Sequence, residues 1–277
     1  MPRASADASL RHRAELPLLT VGVLLTIVLI VAGVLLLFND TAKPAEIIAV
    51  ATAATGPLTL WLRTHHRHWL AIGDGILVTE RQLPEIHAVY VDVAEHMGFG
   101  DGDGQRPRPP LYLVGRGTSM DGTAGRCHVS TGALTLHADF AEMVYTVDDL
   151  RTVRYLLAHQ LGHILAGHTT PVRATVNAVM LGAQLNRPLA TAEEYSADRA
   201  VGRYVPEAAE GVVALYSDKN IRARIDIDEY LADAGRIRDD IWLRIANLGS
   251  SHPVGVKRML AFRAMREQGW DVHGELF

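Results

Sequence analysis

Four side chains in two short stretches could do metal chemistry. In LLAHQLGHILAGH, residues 156–168, His159 and His163 stand four apart, so on a helix both imidazoles leave one face about a turn apart. That is the geometry two ligands of a single Zn²⁺ require. In TAEEYSADRAVGRYV, residues 191–205, Glu194 and Asp198 are again four apart. One carboxylate could bind the metal while the other accepts a hydrogen bond from a ligand histidine. Two histidines and a glutamate make a common catalytic zinc set with a fourth position left for water. Core histidines and a solvated acidic helix face are the ordinary alternatives, and the two elements occurring in order favour the metal.

The residue after the first histidine is Gln160. Zinc peptidases carry Glu there, which takes a proton from the attacking water. A glutamine amide nearly matches Glu in shape and has no basic lone pair on nitrogen. Metal and substrate could still bind, yet loss of a general base costs about 10²–10⁴ in rate, so the chain as written should be a poor hydrolase or none. Gln160 reads either as an introduced Glu→Gln change or as a natural pseudo-protease that binds peptides or a protein partner without cutting them.

Together with Ser251-His252-Pro253 and Arg258, these stretches resemble the HtpX-like and CAAX prenyl protease-like family of integral-membrane zinc metallopeptidases. That family's pattern is His-Glu-x-x-His, Glu-x-x-x-Asp and a C-terminal His-Pro followed by Arg, and the match covers roughly residues 83–268. The resemblance implies one catalytic Zn²⁺ held by His159, His163 and Glu194, with Asp198 orienting a ligand histidine and position 160 acting as base. It implies that His252 and Arg258 lie near the substrate and the developing oxyanion. Asp121, Gly122, Thr123 and Ala124 fall where the family pairs an edge strand with an extended peptide substrate. The expected fold is α+β and mostly α, a zincin-like domain with a small sheet behind a transmembrane helical hairpin. The expected activity is that of a membrane-anchored zinc endopeptidase.

The elements that must position these residues begin with a membrane anchor. Residues 16–38 are apolar and uncharged, long enough to span about 30 Å of hydrocarbon as a helix. A second apolar run at 46–62 is interrupted by Gly56 and Pro57, and reads as a second span or as an interfacial or buried core helix. Arg3, Arg11 and Arg13 precede the first run, Arg63 and Arg67 follow the second, and Lys43 alone offsets Asp40 and Glu46 between them. Positive-inside bias puts both ends in the cytoplasm, with residues 1–15 as a tail, 16–63 as the hairpin and 64–277 as a cytoplasmic domain at the cell (inner or plasma) membrane.

Within that domain, helical spacing covers 83–97, a Gly/Asp/Pro-rich loop follows, and β-type runs lie at 111–115 and 126–136. Thr146 with Asp149 resembles a capping box opening the helix that runs to about Gly167. Further helices are expected at 171–186, 190–204, 206–217, 226–247 and 253–268, the last with Pro253 in its first turn.

Composition narrows the alternatives. Across 277 residues, 48% are apolar and 21% charged, which suits a globular core and excludes disordered classes. A net charge of −4 argues against a nucleic-acid surface. The single cysteine, Cys127, excludes a disulfide framework and suits a reduced compartment, and it reads as a small buried hydrophobe. Residues 64–68 (THHRH) read as a membrane-interface segment, and GDGDG at 100–104 lacks the spaced carboxylates of a calcium loop. His168, five positions past His163, falls off the ligand face and suits the helix C-terminus.

Overall fold

The computed structural model describes residues 7–39, 43–115, 125–127, 133–146, 150–170, 173, 176–177, 179–180, 186–217, 221–250 and 252–276. The principal helices are α1 (Glu15–Leu37), α2 (Pro44–Gly73), α3 (Pro84–His96), α4 (Arg151–Ala166), α5 (Asn186–Tyr204), α6 (Ile227–Ile237), α7 (Ile241–Gly249) and α8 (Gly255–Gln268). The strands are β1 (Ile76–Leu77), β2 (Leu111–Val114), β3 (Gly125–Cys127) and β4 (Leu134–His137). They form one small sheet in the order β1-β2-β4-β3, with β2 parallel to β4 and the outer two strands antiparallel to their neighbours. The chain is therefore mostly helical with a small sheet.

Helix α4 lies at the centre. It buries Val153, Tyr155, Leu156, Leu157, Leu161 and Leu165 together with the polar His159 and Gln160, a helix covered nearly all round. It packs on α3, α5, the 3₁₀ segment Pro206–Val213 and strand β3. The contact with α5 is close because Gly162 has no side chain. A Cβ there would sit 2.9 Å from both the Ala197 carbonyl oxygen and the Ala200 Cβ.

Several expected elements differ in their limits. The run at 126–136 divides into β3 and β4, because Gly125–Cys127 folds back antiparallel on Leu134–Leu136. Thr146 does not cap α4: its hydroxyl donates to the Glu142 carbonyl one turn back, and the N-cap position is Leu150, which makes no side-chain cap. Asp149 lies outside the described residues. The span 226–247 is two helices, since the Asp240 carboxylate accepts from the Trp242 and Leu243 N–H groups and starts α7 afresh. The span 206–217 is largely 3₁₀, and Pro253 precedes α8 rather than standing in it.

Residues 7–14 are no free tail. Asp7 N donates to the Leu165 carbonyl at 2.7 Å, His12 N to Ser196 Oγ at 2.7 Å, and Arg199 Nη1 to the Arg11 carbonyl at 2.8 Å, while Leu10 is fully buried. The C-terminal segment closes over the same helix: Tyr195 donates to the Glu275 carbonyl and His12 Nε2 to the Gly274 carbonyl.

Among the described residues one helix, Glu15–Leu36, is long and apolar enough to cross a membrane, and its surface is almost wholly uncovered. Helix α2 runs against α1 and continues unbroken through Gly56, Pro57 and residues 64–68 to Gly73. The helix therefore runs on past the end of the expected span at 62 and the expected domain boundary at 64. A proline removes one bond of the helical ladder, and the turns on either side keep the helix going.

Two predictions follow from this packing. In an open helix Gly→Ala gains about 1 kcal/mol, whereas at Gly162 the clash with α5 should outweigh that gain. Gly162→Ala is expected to lower stability by about 1–2 kcal/mol net, read as a lower denaturation midpoint. At His273, burial first and then Arg199 push the imidazole pKa down from 6.5 to about 4. Arg199 Nη1 donates to its Nδ1 at 3.0 Å, which requires an unprotonated ring. Between those values the unfolded chain binds a proton the folded chain excludes, so stability falls as pH drops from 6.5 to 4. His273→Asn should flatten that fall in denaturant titrations run across this range.

Candidate metal centre

His159 and His163 leave α4 one turn apart and meet Glu194, which projects from α5. His159 Nε2 lies 3.2 Å from His163 Nε2 and 3.2 Å from Glu194 Oε2, and His163 Nε2 lies 3.5 Å from Glu194 Oε1. Ligands at about 2.0–2.1 Å around a tetrahedral Zn²⁺ stand about 3.3 Å from one another. The three donors therefore converge at the spacing such an ion needs, and the set is one that could hold a metal.

Each histidine is oriented from behind. The Asp198 Oδ1 atom accepts from His159 Nδ1 at 2.9 Å, which puts the proton of the neutral ring on Nδ1 and aims Nε2 at the centre. Asp198 is held in turn by a two-pronged bond from Arg258, with Nε to Oδ2 at 2.8 Å and Nη2 to Oδ1 at 2.7 Å. The Tyr155 hydroxyl donates to Asp198 Oδ1 at 3.0 Å and accepts from Arg258 Nη2 at 2.6 Å. On the other side, His163 Nδ1 lies 2.8 Å from His168 Nδ1, and His168 Nε2 lies 3.3 Å from Glu15 Oε1. The His168 N–H also bonds the His163 carbonyl just after Gly167, whose φ of 82° turns the chain out of the helix.

The electrostatics match this geometry. Burial works against charge on every member, and the partners outweigh it at three of them. For Glu194 burial is opposed by His159, His163 and Arg258, which hold its carboxyl well below the usual range. For Asp198 burial is likewise opposed by Arg258 and His159, and its pKa is lowered. His159 is raised because Glu194 and Asp198 overcome burial, whereas burial prevails at His163 and lowers it.

Among the expected site residues, His159, His163, Glu194 and Asp198 come together. Gln160 sits on α4 between the two histidines and is largely buried. His252 is half exposed at the rim, its Nε2 3.7 Å from Glu194 Oε1. Arg258 is buried beside His159, bonded to Asp198 and Tyr155 and with Nη2 3.4 Å from Glu194 Oε2, so it is the counter-charge of both carboxylates. Asp121, Gly122, Thr123 and Ala124 lie outside the described residues, and for Cys127 the backbone in β3 is described. Sequence reasoning missed Tyr155, Glu15 and the side-chain role of His168. Tyr155 stands one turn before His159 on the same helix face, a signal that was available. Glu15 carries none, being separated from His168 by the whole first half of the chain.

Comparisons with known proteins give no match: no family model, curated protein or solved structure is significantly similar to the chain.

Removing the charge that faces Asp198 should be costly. Arg258→Met would leave a buried carboxylate without its cation, and we expect a loss of about 3–5 kcal/mol in denaturant unfolding of the chelator-treated protein. Arg258→Lys should recover part of it.

Proposed function

We propose that the chain is a membrane-anchored zinc protein whose centre is built for hydrolysing peptide bonds and lacks the base at position 160. The observation that carries the proposal is the convergence of His159 Nε2, His163 Nε2 and a Glu194 carboxylate at tetrahedral spacing, each histidine held by a hydrogen bond on its other nitrogen. Bound there, Zn²⁺ would supply Lewis acidity toward a carbonyl and lower the pKa of a water.

The chain's own residues would do the rest. Asp198 and Arg258 fix the His159 ring, and His252 at the rim is within reach of a substrate oxygen developing negative charge. Among the described strands β3 ends the sheet and lies against α4, a place where an extended peptide would add as a further strand. Gln160 can donate or accept a hydrogen bond and cannot take a proton at neutral pH. With Glu at 160 the protein would be a zinc endopeptidase. With Gln the same frame serves as a zinc-binding pseudo-protease that holds a peptide or a protein partner.

For topology we propose that α1 spans the cell membrane, that the apolar part of α2 returns, and that the metal centre faces the cytoplasm. The uncovered surface of α1 and the cations at 3, 11 and 13 support this.

The deciding variant is Gln160→Glu, purified with zinc and incubated with an unfolded protein substrate. We expect cleavage or self-processing to rise about 10²–10⁴-fold over the parent chain. Full zinc occupancy with no gain in cleavage would overturn the endopeptidase reading and leave the binding one.

A further inference from the structure

We infer that Glu15, in the first turn of the apolar helix α1, is a positioning residue of the metal centre that acts through His168 on the ligand His163. The inference rests on the metal reading of that centre. Its basis is a chain of contacts with a forced direction. If His163 is to offer Nε2 as a ligand, its Nδ1 must carry the proton. That proton can go to His168 Nδ1, 2.8 Å away, so His168 carries its own proton on Nε2, which lies 3.3 Å from Glu15 Oε1, at ion-pair distance and off the line of a hydrogen bond. The negative charge at the far end favours the proton on Nε2 and so sets both tautomers through space, whereas Asp198 bonds His159 directly.

Glu15 is well placed for this. Its side chain is fully buried, although it begins a helix that is mostly uncovered. A buried carboxylate is costly unless its lone pairs are met. Here Arg173 pairs with Oε1 and Ser196 Oγ donates to Oε2 at 2.5 Å. Arg173 reaches on to Glu193 at 2.7 Å, next to the ligand Glu194. The alternative is that Glu15 is a plain counter-ion for Arg173, which pins α1 to the domain and has no bearing on the metal.

The test measures zinc affinity by chelator competition and the visible absorption of the Co²⁺-loaded protein, on the full chain in detergent. Glu15→Gln keeps the shape and removes the charge, His168→Leu breaks the middle link, and Asp7→Asn loosens the same docked N-terminal segment at Arg203 without touching Glu15, His168 or His163. Glu15→Gln and His168→Leu should each raise the zinc Kd about tenfold or more and alter the Co²⁺ bands, whereas Asp7→Asn should leave both unchanged. Parent affinity and spectrum in the first two, or equal changes in all three, would overturn the inference. Should Glu15→Gln fail to fold, His168→Leu decides it. If the parent chain itself binds no zinc, the metal reading falls, and the inference with it.

Discussion

The approach of α4 to α5 at Gly162 is the constraint on which the centre depends. Gly162 lies between His159 and His163, and it faces Ala197 and Ala200, which flank Asp198 on the other helix. Donors on two rigid helices can meet within about 3.5 Å only if the backbones come close, and a residue without Cβ permits that at the level where it is needed. Sequence spacing places His159 with His163, and Glu194 with Asp198. The helix contact places one pair against the other.

Around this contact the chain buries an unusual amount of charge: Glu194, Asp198 and Arg258 on one side, Glu15, Arg173 and Glu193 on the other. Replacing such pairs with apolar side chains often leaves a protein as stable or more so, so stability alone does not account for them. The same network meets His159 and His163 on the ring nitrogen that points away from Glu194.

The parts of the fold set by local periodicity were legible. The helical spacing around His159 and around Glu194 gives α4, α5 and their ligand faces directly, and the apolar run gives α1. The capping box at Thr146 misled because its hydroxyl found a nearer acceptor, the Glu142 carbonyl, which pattern matching does not weigh. The break before α7 was available in Asp240, a strong N-cap residue passed over in a long amphipathic stretch. The motif places Arg258 with the cluster, yet its pairing with both Asp198 and Glu194 depends on packing between α8 and α5, and no spacing rule encodes that. The contributions of Glu15 and the C-terminal segment come from opposite ends of the chain and leave no local trace.

The two chain ends clasp the same helix. Asp7, Arg11 and His12 lie on one part of the α4–α5 unit, while Asp271, Gly274 and Glu275 lie on another, with Arg199 bonded to both ends. Contacts so distant in sequence form late, because their loops must close first. During synthesis the segment containing Glu15 is made long before its partners Arg173 and Ser196, and the segment around Asp271 and Glu275 follows after both helices. His159, His163, Glu194 and Asp198 therefore all exist in the chain before the second of the two flanking segments can dock. The frame around the cluster closes from both sides, and neither helix alone completes it.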